Sequence, residues 1–199
     1  DSTLRRRLGV QMVGRLLIIS GASGVGKSTL TARIVAALEF DKVVSSDTIR
    51  ETLRTMVSVE ESPALHRSSF QPSGSGAIAD WKATIAPLRD AIDAVIAREM
   101  KRGGDLLLEG VHFAPSFGFI DSWRAAGGTA CGVVMVVEDA EEHVRMIAGR
   151  RKHNGRPVRH YLDHIERIRE IQAEMLRLAE NSGWLTLDIT QADDPIGHI

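Results

Sequence analysis

An α/β fold is predicted, a single five-stranded parallel sheet flanked by helices, and two observations predict it. Short apolar runs recur along the 199 residues with helical patterns between them, the alternation that builds a parallel sheet. The runs (LLII, KVV, LLLE and GVVMVV) are continuously apolar and do not alternate with polar residues. Strands read this way when helices cover both faces of their sheet. The expected strands are residues 16–20, 42–45, 106–109, 132–137 and 184–188.

Between them, residues 27–40 are expected to form the first helix. Residues 84–102 place Leu88, Ile92, Val95, Ile96 and Met100 on one face at steps of three and four, the period of an amphipathic helix. Residues 159–181 repeat the pattern with Leu162, Ile165, Ile168, Met175 and Leu178, and Gly183 lies just beyond as a stop. The Ser-, Gly- and Pro-bearing stretch 63–76 is expected to be a mobile loop or broken helix. No repeat and no long linker divides the chain, so one domain is expected over 1–199, with residues 1–13 as an N-terminal extension.

Composition narrows the class. A net charge of −1 gives no general reason to expect nucleic acid or an anionic membrane as partner. No apolar run approaches the roughly 20 residues of a membrane-spanning helix. The single cysteine, Cys131, cannot form an internal disulfide and suits a reducing, cytoplasmic setting. It adjoins the expected strand at 132–137 and reads as core packing.

Chemistry enters at Gly21, Ala22, Ser23, Gly24, Val25, Gly26, Lys27 and Ser28. This is a phosphate-binding loop, placed between an apolar strand and a helix as it must be. Glycines let the backbone approach the phosphates, and the N–H groups of the loop and of the helix start cradle them. Lys27 brings a positive charge to the β- and γ-oxygens, and the Ser28 hydroxyl is placed to ligate Mg²⁺, with Thr29 beside it. Such a match arises by accident in a chain of this size on the order of 1% of the time at background glycine frequency. ATP with Mg²⁺ is therefore the expected ligand. No Asn/Thr-Lys-x-Asp guanine motif follows, and adenine is expected to meet the backbone around residues 190–194.

Three further features point to phosphoryl transfer. The second strand runs into Asp47, at the sheet edge where open α/β folds bind ligands. A carboxylate there can take the proton of an acceptor hydroxyl or hold Mg²⁺. It could also cap the helix expected from Thr48. Arg50, one turn on, can clamp a carboxylate or phosphate. The third strand ends in Glu109, expected near Mg²⁺ or the attacking oxygen, followed by Gly110, which would let substrate approach the backbone, and by His112. Finally, Arg150, Arg151, Lys152, Arg156 and Arg159 cluster without an intervening acid between the fourth strand and the last helix. That is where a lid closes over a transferring phosphate, here over 149–160. Arg150 and Arg156 are the expected catalytic arginines, with Arg159 on the acceptor. A solvated basic face and a nucleic-acid patch are the competing readings, disfavoured by the neutral balance and the scarcity of aromatic residues. The fold expected is thus a P-loop kinase fold with a basic lid.

Taken together, Gly21–Ser28, Val44-Ser-Ser-Asp-Thr-Ile-Arg50, Leu65-His-Arg-Ser-Ser69, Leu108-Glu-Gly-Val-His112, Arg156-Pro-Val-Arg159 and Ile168-Arg-Glu-Ile-Gln172 resemble the 2-phosphoglycerate kinase family over residues 15–188. The resemblance implies transfer of the ATP γ-phosphate to the 3-hydroxyl of 2-phosphoglycerate, giving 2,3-bisphosphoglycerate. It implies that Asp47 activates the hydroxyl and that Arg50, His112, Arg54, His66 and Arg67 hold the small anionic acceptor. Two departures stand out. The chain begins about twenty residues before its loop, so the N-terminal nucleotide-sensing domain of methanogen members is expected to be absent. Residues 72–77 form an insert in the region where the acceptor is expected to bind. Alternatives are a kinase for another small acceptor (a sugar acid, an antibiotic or a nucleotide sugar) and a non-catalytic ATP-binding regulatory module.

Overall fold

A computed structural model of the chain describes residues 13–149 and 157–199. The five strands are β1 (Arg15–Gly21), β2 (Lys42–Ser45), β3 (Leu106–Glu109), β4 (Thr129–Val136) and β5 (Leu185–Asp188). They form one parallel sheet in the order β2-β3-β1-β4-β5. The expected strands are all present. β4 starts three residues earlier than its apolar run because Thr129, Ala130 and Cys131 continue the pairing with Arg15, Leu16 and Leu17.

The unbroken apolar runs have a simple cause. Alternate residues of each strand enter different cores. Leu16, Ile18, Leu106, Leu108, Val134 and Val136 pack in one cluster with Trp81, Leu88, Ile92, Ile168 and Met175. Leu17, Ile19, Leu107, Val133, Met135 and Val137 pack in a second, with Leu30 and Ile34. Both faces of the three central strands are covered, so nearly all their positions are apolar, whereas the edge strands β2 and β5 keep exposed and polar positions such as Lys42 and Thr186.

Among the described residues the helices are α1 (Lys27–Leu38), α2 (Ser46–Arg54), α3 (Pro63–His66), α4 (Ala77–Ile85), α5 (Arg89–Arg102), α6 (Phe119–Ala125), α7 (Ala140–Ala148), α8 (Val158–Leu162) and α9 (Ile165–Ser182). The helix expected over 84–102 is two helices joined by a 3-10 turn at Ala86–Leu88. Pro87 lacks the N–H that a continuous α-helix needs and marks the break. The helix expected over 159–181 also divides, at Asp163 and His164. There the rings of His160, Tyr161 and His164 gather round Phe70 at centroid distances of 5.2, 5.3 and 5.7 Å.

The stretch 63–76 contains α3 and then an irregular segment that is tied down, against the expectation of a mobile loop. Its anchor is Asp80 on α4, only 1% exposed. Asp80 accepts from the Ser73 N–H and hydroxyl at 2.9 and 2.7 Å, from the Ser75 N–H at 3.3 Å and from the Arg167 guanidinium at 2.6 Å. Arg167 also donates to the Phe70 carbonyl at 2.8 Å. The insert is therefore wrapped round Asp80. Burial pushes the Asp80 carboxyl upward, but the bonds from Ser73, Arg167 and Ser75 outweigh it and hold the group far below the usual carboxylate range. Its folded value lies below its unfolded value near 4. The stabilisation is thus complete above pH 4 and is lost as pH falls through the folded value. Asp80→Asn is expected to lose about 2 kcal/mol at pH 7, the worth of hydrogen bonds to a charged group. Urea unfolding at pH 7 and pH 3 checks this: the deficit must shrink on acidification.

Candidate active site

Strand register assembles the site. Ser45 on β2 and Ile19 on β1 both lie opposite Glu109 on β3. The residues that follow the three strands therefore emerge side by side at one sheet edge: the loop from Gly21, the start of α2 and the segment from Gly110. That segment is held by the Gly110 N–H donating to the Ile19 carbonyl at 3.0 Å and by the buried Trp81 indole donating to the Val111 carbonyl at 2.9 Å.

In the loop, Ala22 and Val25 bury their side chains in the core, 1% and 0% exposed. They can offer a ligand only their backbone. Gly26 precedes α1 and provides no side-chain cap. The first-turn N–H groups of Lys27 and Ser28 therefore have no helical carbonyl to meet, which is the usual anchorage of a phosphate. The Lys27 ammonium lies across the loop, donating to the Gly21 and Ala22 carbonyls at 2.9 and 2.8 Å. Ser28 and Thr29 are exposed at the start of α1.

On the second strand the cap is Ser45, whose hydroxyl accepts from the Asp47 N–H at 3.2 Å. Asp47 is thus not the helix cap. Its carboxylate is left free of that duty and stands half exposed, 3.7 Å from the Arg50 guanidinium. Arg50 is 7% exposed and also reaches the Arg67 carbonyl at 3.4 Å and Glu51 at 3.8 Å. Arg54 donates to the Leu65 carbonyl at 2.9 Å and pairs with Glu51 at 2.6 Å.

Two cavities meet here. The smaller, about 260 Å³, is lined by Ser23, Gly24, Lys27, Ser28, Asp47 and Glu109 among others. The larger, about 770 Å³, is lined by Asp47, Arg50, Arg54, Ser68, Ser69 and Phe70 among others. Ser23, Asp47, Thr48, Val111 and Tyr161 belong to both. A third, about 560 Å³, includes Arg145, Met146, Thr190 and Gln191.

Other expected residues are placed elsewhere. His112 is fully buried, with Nδ1 2.9 Å from the Ser46 hydroxyl. Burial pushes its imidazole down to about 3, so it is neutral near pH 7 and adds no charge for an anion. A Cβ on Gly110 (φ 146°) would collide with the same Ser46 hydroxyl. Glycine is required there to admit Ser46, and Gly110 also lines the smaller cavity, where the sequence suggested an approach for substrate. His66 donates from Nε2 to the Val57 carbonyl at 2.8 Å, and Arg67 donates to the Asp80 carbonyl at 2.7 Å; neither lines the larger cavity. Arg159 is exposed and faces Asp163 on its own turn at 3.5 Å. Arg150, Arg151, Lys152 and Arg156, and most of the expected lid, lie outside the described residues, as do residues 1–12 of the extension. Conversely, Ser68, Ser69 and Tyr161 stand on the cavity wall without having been assigned a role.

The oxygen donors round the smaller cavity suit Mg²⁺, which takes hard oxygen ligands and keeps several waters. No cluster of three or more His, Cys, Asp or Glu able to hold a metal occurs among the described residues. Nor is any described helix long and apolar enough to cross a membrane.

Comparison with known proteins agrees with this architecture. The 2-phosphoglycerate kinase of Pyrococcus horikoshii is 25% identical over 98% of this chain, and that of Pyrococcus furiosus 29% identical over 87%. The chain spans 65% and 59% of the length of these two relatives. The motif resemblance to the 2-phosphoglycerate kinase family is therefore matched by relatives along most of the chain. Among solved structures, the shikimate kinase of Acinetobacter baumannii, determined with shikimate, superimposes with a TM-score of 0.53 at 13% identity, covering 93% of this chain and 88% of that one. At that identity the likeness concerns the fold alone. Residues 16–175 match the AAA domain family, and with the phosphate loop, the parallel sheet and these relatives in agreement, the chain belongs to that family as a P-loop domain of the kinase type.

Proposed function

We propose that the chain transfers the γ-phosphoryl group of ATP to a hydroxyl of a small anionic acceptor, 2-phosphoglycerate, giving 2,3-bisphosphoglycerate. The observation that carries the reading is the pair of adjoining cavities with Asp47 in their shared wall. One side presents a phosphate loop, and the other presents arginines and serines.

In this reading the loop from Gly21 to Gly26 and the start of α1 at Lys27, Ser28 and Thr29 hold the triphosphate through backbone N–H groups. Lys27 leaves the loop carbonyls for the β- and γ-oxygens. Thr190 and Gln191 border the base. Ser28 would hold Mg²⁺, with Asp47 and Glu109 reaching it through its waters, and the ion would supply charge neutralisation on the phosphate oxygens. Arg50 and Arg54 hold the acceptor's carboxylate and phosphate, with Ser68 and Ser69 as further donors. The acceptor hydroxyl gives its proton to the Asp47 carboxylate as its oxygen bonds to the γ-phosphorus. The bond from that phosphorus to the β–γ bridging oxygen breaks, and ADP leaves with the electron pair. Arg150 and Arg156 are assigned to the charge that develops on the migrating group.

The test is ADP release with ATP and Mg²⁺ across 2-phosphoglycerate, 3-phosphoglycerate, glycerate, gluconate and a nucleoside monophosphate. Stimulation by 2-phosphoglycerate alone is expected. Stimulation by a different member would discard this acceptor, and ATP binding without any stimulation would favour a regulatory module. Arg50→Gln is expected to raise the acceptor KM about ten- to a hundredfold, as losing charge-assisted hydrogen bonds does. The KM for ATP stays unchanged; if it rises instead, the larger cavity is not the acceptor's.

A further inference from the structure

The phosphate loop does not stand alone. Helix α7 is packed against its underside, and His143 of that helix is fully buried there, at 0% exposure. Its Nε2 lies 2.9 Å from the Ser23 carbonyl oxygen. The carbonyl can only accept, so Nε2 carries the proton and donates.

That single bond fixes a peptide plane. In a trans peptide the C=O of one residue and the N–H of the next point in opposite directions, and the described chain has no cis bond. Drawing the Ser23 carbonyl down onto α7 therefore turns the Gly24 N–H away from α7, toward the cavity that Ser23, Gly24 and Lys27 line. With the carbonyl released, the plane could rotate and present a partial negative charge to the phosphates.

Packing supports the same arrangement. Gly24 has φ 99°, and a Cβ there would fall 2.7 Å from His143 Nε2 and 2.6 Å from Ile147. The loop is pressed onto two side chains of one helix turn, with no room for another atom. The helix is itself anchored at its start, where the Asp139 carboxylate accepts from the Glu142 N–H at 2.7 Å.

We infer that His143 is a positioning residue of the nucleotide site: through the Ser23 carbonyl it sets the Gly24 N–H toward the bound polyphosphate. This rests on the phosphate-loop part of the proposed function and not on the identity of the acceptor. A histidine is suited to the position because it combines a flat, packable ring with a donor at its far end.

Calorimetric titration of ADP with Mg²⁺ tests the inference on the full chain, comparing the parent with His143→Phe and His143→Gln. Phenylalanine keeps a ring but has no donor, whereas glutamine places an amide donor at a similar reach. ADP is expected to bind the Phe variant about five- to tenfold more weakly, the worth of one neutral hydrogen bond. The Gln variant is expected to recover most of the loss. In turnover, the KM for ATP should move while the KM for the acceptor does not. Thermal melts identify any loss of fold, and the Gln variant carries the test if the Phe variant is unstable. Equal affinity in all three proteins would overturn the role of His143 while leaving the phosphate loop intact. So would equal weakening in both variants with melting temperatures unchanged. Failure of the parent to bind ADP would overturn the nucleotide reading itself, and this inference with it.

Discussion

Asp47→Asn is expected to bind ATP as tightly as the parent and to turn over about a hundred- to ten-thousandfold more slowly, the range for loss of a general base. The substitution preserves shape and removes only the charge and the basicity. The fold has little stake in that charge, because the cap of α2 is made by Ser45. What remains is the favourable placement of an anion in the first turn, worth about 0.3–1 kcal/mol, and the long 3.7 Å pairing with Arg50. A melting temperature close to the parent's, undiminished nucleotide affinity and a collapsed kcat would together assign the residue to the chemical step. Retained turnover would remove Asp47 from the role of base, leaving its position between the cavities to be explained by metal or acceptor binding.

Lys27→Ala should differ in kind. Its loss of transition-state stabilisation is at least about 3 kcal/mol, more than a hundredfold in kcat/KM. Here ATP affinity falls as well, because the ammonium that on the proposed reading moves from the Gly21 and Ala22 carbonyls to the phosphates is gone. Steady-state kinetics with both substrates varied, alongside direct ATP titration, separates the two variants: one loses catalysis with binding intact, the other loses both. A Lys27→Ala protein that kept full turnover would show that the loop is not where the donor binds.

How far the sequence disclosed this arrangement depended on the range of the interactions involved. The phosphate loop was legible because strand, loop and helix are contiguous from Arg15 to Leu38. Asp47 was legible as a carboxylate at a strand end, but Ser45 and Asp47 are both good helix caps, and only geometry decided between them. The contact of Gly110 with Ser46, and of Ser46 with His112, spans more than sixty positions. No periodicity records it, and His112 was placed on the acceptor by the family resemblance alone. The ring cluster of Phe70 with His160, Tyr161 and His164 is more remote still. So is the bond between His143 and Ser23, 120 residues apart. Pro87, by contrast, announced a helix break that the strong apolar spacing of residues 88–100 overshadowed.

The larger cavity has a consequence for descent. Apart from Ser23, Val111 and Tyr161, its wall is encoded between Asp47 and Phe70, in one uninterrupted stretch. The opposite chamber draws on segments that follow β1 and β3, sharing with the larger one only the start of α2 at Asp47 and Thr48 besides Ser23, Val111 and Tyr161. On the proposed reading, replacing only the part of that stretch from Arg50 to Phe70 would therefore rewrite which alcohol is chosen and leave Asp47 and the phosphate loop in place. A new preference is reachable in a single recombination, without many coordinated substitutions, and a common scaffold can diversify one compound at a time.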